Sequence, residues 1–167
     1  MVLDLKPVFI GDNERLTFDF QLDLSGMDIS GVCPFRSPIR VKGEVAGKAG
    51  IVTLSAIVEY VYQGPCDRCS QPVSVSRQVP VTTTVVRELF GEEDDRFLVC
   101  ENMRLDADSL FTEEVLLSLP MKFLCQEDCR GICLNCGQNL NEEHCGCSRK
   151  ESDPRLEKLR QLIREVP

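Results

Sequence analysis

The chain has 167 residues, 43% of them hydrophobic, enough for one buried core plus a small appended module. No apolar run approaches the roughly 18 residues that a bilayer-spanning helix needs. The net charge of −8 opposes bulk attraction to nucleic acid, but residues 91–120 hold nine acids against two bases, so the acidity is local and leaves room for basic patches elsewhere.

Residues 16–24 alternate Leu16, Phe18, Phe20, Leu22 and Leu24 against Thr17, Asp19, Gln21 and Asp23, which predicts a strand with one buried face. A second strand is expected over 39–46, with Arg40, Lys42 and Glu44 on one face. Gly47 to Gly50 then forms a hairpin connection. Val52, Leu54, Ala56, Val58, Tyr60 and Tyr62 share the register of a long strand over 51–62, which Gly64-Pro65 is expected to break. Pro72 leads into a fourth strand, with Val73, Val75, Val79, Val81 and Val85 facing opposite to Ser74, Ser76, Thr82 and Thr84. The β-branched, alternating pattern predicts an antiparallel meander or partly closed sheet. Glu92 to Asp95 reads as a solvated acidic linker. Asp106 or Asp108 caps a helix running to about Leu119, which Pro120 ends. A closing helix is expected from Asp153-Pro154, with Leu156, Leu159, Ile163 and Val166 as its apolar stripe. The expected organisation is α+β: a β-rich domain with acidic linker and helix over 1–120, then a cysteine-rich module with the closing helix packed on it over 121–167. No internal repeat or low-complexity tract stands out.

Ten cysteines are many for a chain whose opening residues, Met1 to Lys6, lack the basic and apolar regions of a secretory signal. A cytoplasmic setting keeps thiols reduced, so clustered cysteines point to metal rather than disulfides. Cys66 and Cys69 form one CxxC pair, and six more thiols run from Cys125 to Cys147. Eight thiolates make two tetrahedral sites, and two zinc ions are expected. Spacing alone does not separate zinc from an iron–sulfur cluster or redox-active pairs. The preferred partition joins Cys66, Cys69, Cys125 and Cys129 in site 1, because the helix before Cys125 can return the chain to the sheet. Cys133, Cys136, Cys145 and Cys147 then form site 2, closed by a short loop. The competing partition groups Cys125, Cys129, Cys133 and Cys136, and sends Cys145 and Cys147 to Cys66 and Cys69. Cys33 and Cys100 read as core or loop thiols, and His144 as non-ligating. No phosphate loop, HExxH or GxSxG is present, and four thiolates leave a zinc ion no open position for water. The chain reads as a non-enzyme.

The pattern Cys66-Asp-Arg-Cys69, Leu119-Pro120, Cys125 to Asn141, Cys145-Gly-Cys147 and Asp153-Pro154-Arg155-Leu156 resembles the YceD family, whose members are named large ribosomal RNA subunit accumulation proteins and also filed as a domain of unknown function. Leu134 stands where many relatives carry proline. The resemblance implies a bacterial or plastid factor for 23S ribosomal RNA processing and accumulation in large-subunit biogenesis, acting through contact with RNA or a ribosomal protein. It implies no enzymatic activity. Arg40, Lys42 and Lys48 offer one phosphate-facing surface; Arg149, Lys150, Arg155, Lys158, Arg160 and Arg164 offer another. Arg68 and Arg130, beside the thiolates, either neutralise a zinc site's formal negative charge or touch phosphate. The rival reading from another class is a regulatory protein that senses zinc or redox state through its cysteines. Neither the oligomeric state nor the RNA segment contacted is legible.

Overall fold

The structure is a computed structural model that describes residues 1–11, 14–48, 50–88 and 97–147. The expected acidic linker, Glu92 to Asp95, and the expected closing helix with Arg149, Lys150, Arg155, Lys158, Arg160 and Arg164 lie outside the described residues.

Four consecutive strands form most of a curled sheet: β2 (Arg15–Leu22), β3 (Ile39–Lys48), β4 (Ile51–Pro65) and β5 (Pro72–Val86). They pair antiparallel in chain order. A short strand, β6 (Phe97–Val99), joins the edge of β5 in parallel, so the sheet is mixed rather than wholly antiparallel. Two further strands, β1 (Val2–Asp4) and β7 (Arg104–Asp106), make a separate antiparallel pair. Among the described residues the α-helices are α1 (Lys6–Ile10) and α2 (Ala107–Leu117). Among the described residues no helix is long and apolar enough to cross a membrane.

Alternation puts Phe18 and Leu22 of β2, Ile39, Val41 and Val45 of β3, and Val52 to Tyr62 of β4 at even positions into one core. Phe111 and Val115 of α2 close that face, with Phe111 5.8 Å from Phe18 between ring centroids. Phe35 meets Tyr60 edge-on at 5.6 Å. Arg40, Lys42 and Glu44 point to the opposite, exposed side. Asp106 caps α2, its side chain accepting from the backbone N–H groups of Asp108 and Ser109. Asp108 also pairs with the amino group of Met1, which ties the chain's start to this helix. Cys100 is buried in the core, whereas Cys33 is exposed.

Gly64-Pro65 does not break β4. The ladder with β5 runs without a bulge from Val52↔Val85 to Pro65↔Pro72. The two prolines stand opposite each other at the terminal pair, where a missing donor costs little. Pro80 is tolerated mid-strand for a related reason. Cys100 N–H donates to the Val86 carbonyl at 2.8 Å, so Val86 turns its backbone groups away from β4. By alternation so does Pro80, whose absent N–H falls on the edge facing away from β4. The β4–β5 hairpin outreaches β3, which pairs with β4 only as far as Glu59, and carries the first CxxC at its tip.

Candidate metal centre

The two CxxC loops fold alike. Cys66 N–H donates to the Gln71 carbonyl at 2.7 Å, and Ser70 N–H returns to the Cys66 carbonyl at 2.9 Å. In the second loop Cys133 N–H donates to Gln138 at 2.8 Å and Gly137 N–H to Cys133 at 2.8 Å. Ser70 (φ +60°) and Gly137 (φ +75°) occupy the same left-handed position. Cys66-Asp-Arg-Cys-Ser-Gln71 and Cys133-Leu-Asn-Cys-Gly-Gln138 are therefore a short internal repeat, contrary to the expectation of none.

The fold gathers the thiols as Cys66, Cys69, Cys125 and Cys129 in one group and Cys133, Cys136, Cys145 and Cys147 in the other, each group's sulfurs within 4.8 Å of one another. Cys145 and Cys147 are not brought to Cys66 and Cys69. All ten cysteines are free thiols. In the first group Cys66 and Cys129 sulfurs stand 3.8 Å apart, and those of Cys69 and Cys125 3.5 Å. Four thiolates at about 2.3 Å from one tetrahedral ion lie about 3.8 Å from each other, so the donor set fits zinc in kind, number and spacing. His144 is exposed and belongs to neither group.

Three residues that sequence reasoning passed over position the first group. Asp67, inside the CxxC, donates its N–H to the Phe123 carbonyl at 2.9 Å, and its carboxylate accepts from Phe123 N–H at 2.6 Å. Phe123 stacks on Tyr62 with centroids 3.3 Å apart, pinning the 121–125 segment to the hairpin. Asn141 donates to the Cys129 sulfur at 3.2 Å while its side-chain oxygen accepts from Arg130 N–H at 2.7 Å. The only sequence signal for them was their place within or beside the cysteine motifs.

The sulfurs are electrostatically opposed. Burial works against ionisation of Cys66, but N–H groups of Arg68, Cys69 and Cys125 outweigh it and bring the thiol down to about 6. Its partner Cys125 is pushed up to about 12, first by the Cys69 sulfur, then by burial and by Cys129 and Cys66. The second group repeats the split. Backbone N–H groups of Cys136 and Asn135 lead in bringing Cys133 down to about 6, while the Cys136 sulfur, then burial, then Cys133 push Cys147 up to about 12. A divalent cation relieves this repulsion and displaces the remaining protons.

The expected phosphate-facing cations are unequally placed. Arg40 is engaged by Asp19 through two hydrogen bonds, of 2.8 and 3.2 Å. Arg68 donates to the Cys129 carbonyl at 2.8 Å, next to the first thiol group. Lys42, Lys48 and Arg130 are exposed.

The family described as "Large ribosomal RNA subunit accumulation protein YceD" matches residues 54–163. An Arabidopsis thaliana protein named large ribosomal RNA subunit accumulation protein YCED homolog 1, chloroplastic, is 27% identical over 150 residues, covering 72% of this chain and 47% of that protein. The Zea mays protein of the same name is 25% identical over 177 residues, 87% of this chain and 60% of its own length. A Bacillus subtilis protein named YlbN is 29% identical over 139 residues, 77% of this chain and 76% of that one. This chain thus spans between 47% and 60% of the two plant relatives. No solved structure matches it.

Proposed function

The chain belongs to the YceD family of large ribosomal RNA subunit accumulation proteins, and from that premise we propose that it is a non-enzymatic factor supporting large-subunit ribosomal RNA accumulation by binding that RNA or a ribosomal protein. The observation that carries the non-enzymatic part is the donor set: each group offers four sulfurs and, among the described residues, no further ligand. Zinc held by all four would serve as a cross-link, with no position left for an activated water. Cys66, Cys69, Cys125 and Cys129 would hold one ion, and Cys133, Cys136, Cys145 and Cys147 the other. Residues 1–120 then act as a β-rich body and 121–167 as a metal-ordered module attached to it.

Because Arg40 and Arg68 are already engaged, phosphate contact in this reading falls to Lys42, Lys48 and Arg130 and to the tail cations Arg149, Lys150, Arg155, Lys158, Arg160 and Arg164. Log affinity should then fall linearly with log salt, with a slope of about 1 for each phosphate neutralised. The test is a titration of the zinc-loaded chain against large-subunit RNA fragments at two salt concentrations, with the Arg155→Glu/Lys158→Glu/Arg160→Glu variant alongside. The reversal should weaken binding and flatten the slope by about 1 for each phosphate no longer neutralised, with zinc content unchanged. Indifference to both salt and the reversal would discard phosphate binding and leave a ribosomal protein as the partner.

A further inference from the structure

The two thiol groups differ in how they are protected. In the first, Cys66, Cys69 and Cys129 are 2%, 5% and 2% exposed, and Cys125 alone of the four is exposed. Its sulfurs come from segments 56 to 63 residues apart, so opening it means parting the hairpin tip from the 121–129 segment. That parting is opposed by the Asp67–Phe123 hydrogen bonds, the Tyr62–Phe123 stack and the Arg68 bond to the Cys129 carbonyl. Sulfurs of both groups accept from protein N–H groups, Cys66 from Cys125 at 3.4 Å and Cys129 from Asn141 at 3.2 Å in the first, and Cys133 from Cys136 and Asn135 in the second. The second group is local to residues 133–147. Cys136 and Cys147 are exposed, and Leu134 at the tip of their loop is 96% exposed. No aromatic lid of the Tyr62–Phe123 kind stands over it among the described residues.

We propose that Cys136 and Cys147 form an oxidative modification site, at which a peroxide joins the two sulfurs in a disulfide and frees the zinc ion of the second group, while the first group keeps its ion. The two sulfurs already lie within 4.8 Å, so the bond needs only a local closure. The step balances. One thiolate attacks the peroxide oxygen to give a sulfenic acid and one water or alcohol. The other thiolate displaces the hydroxyl from that sulfur, forming S–S and a second water. Two electrons pass from the thiolates to the peroxide, and two protons from solvent complete the waters. With two ligands lost, Cys133 and Cys145 alone cannot retain the ion against water. Paired access decides between the groups: the second offers two exposed sulfurs to join, whereas the exposed Cys125 of the first has only buried sulfurs as partners.

This inference rests on the reading of both groups as zinc sites and is independent of the RNA reading. The test uses the full chain, purified reduced and without chelator, with zinc measured by elemental analysis and then titrated with hydrogen peroxide in the presence of a zinc-responsive dye. The expected result is two equivalents at the start and release of one in a fast phase. A Cys136–Cys147 disulfide should be mapped by mass spectrometry of a non-reduced digest, with Cys66, Cys69, Cys125 and Cys129 still reducible thiols. Reductant and zinc should restore the second equivalent. Cys136→Ser, or Cys147→Ser if the former folds poorly, should abolish the fast phase. Release of both equivalents together, or a first disulfide within the Cys66–Cys129 group, overturns the inference while leaving the zinc reading intact. A preparation with no zinc overturns both.

Discussion

Ser70 holds a left-handed backbone at φ +60° where its counterpart in the second loop is glycine, and a Cβ there costs roughly 1–2 kcal/mol less whatever glycine loses in entropy. Ser70→Gly should therefore stabilise the protein by about 0.5–1 kcal/mol. Gly131 gives the opposite case. Its φ is +77°, and an added Cβ would stand 3.0 Å from the Arg68 carbonyl. Gly131→Ala should cost about 1–2 kcal/mol, read as a lowered urea midpoint. Asn141 acts through another group, orienting the Cys129 sulfur and holding Arg130 N–H. Asn141→Ala should weaken zinc at the first group by about 10–100-fold in chelator competition and leave the second group's affinity unchanged. Equal weakening of both would show that it merely supports the fold.

At the scale of elements, the long hairpin is the arm that brings Cys66 and Cys69 to the distal cysteines. Phe123 is its clasp, nearly buried against Tyr62. Phe123→Ala should cost about 3 kcal/mol, and should speed loss of one zinc equivalent but not the other. Unchanged release of both would mean that the thiols alone hold the segment. The four long strands were legible because period-two alternation marks a half-buried surface over eight or more residues, and Asp106 announced α2. The strands β1, β6 and β7 were not, since three residues carry no period. The continuation of β4 to Pro65 was hidden because proline reads as a breaker unless its partner across the ladder is known. The loop repeat escaped notice because six residues sharing two cysteines and a glutamine look like coincidence until the hydrogen bonds match. The grouping of the thiols was more accessible, because loop length favours closing 133–147 on itself.

At the scale of the molecule, the apolar residues divide unequally. The sheet and α2 share one continuous core, with Phe35, Phe111, Ile39, Leu54 and Val58 fully buried. Around the first thiol group the buried cluster among the described residues is Cys66, Cys69, Val73 and Cys129, with Val75 and Leu124 against it. So small a cluster cannot offset the conformational entropy of ordering 121–147, and in the proposed reading a metal cross-link at the thiols does so. Zinc removal by a strong chelator under reducing conditions should thus unfold one part and spare the other. Amide hydrogen exchange should rise toward the unfolded rate over 64–72 and 121–147. Protection over 39–60 and in α2 should persist, because those hydrogen bonds are covered by the core rather than by the thiols. Cys66→Ser should reproduce the change around the hairpin tip alone, removing one zinc equivalent and leaving Cys133, Cys136, Cys145 and Cys147 loaded. Collapse of protection throughout the sheet on chelation would mean that the metal module and the sheet fold as one cooperative unit, and loss of both equivalents in Cys66→Ser would mean that the second group depends on the first.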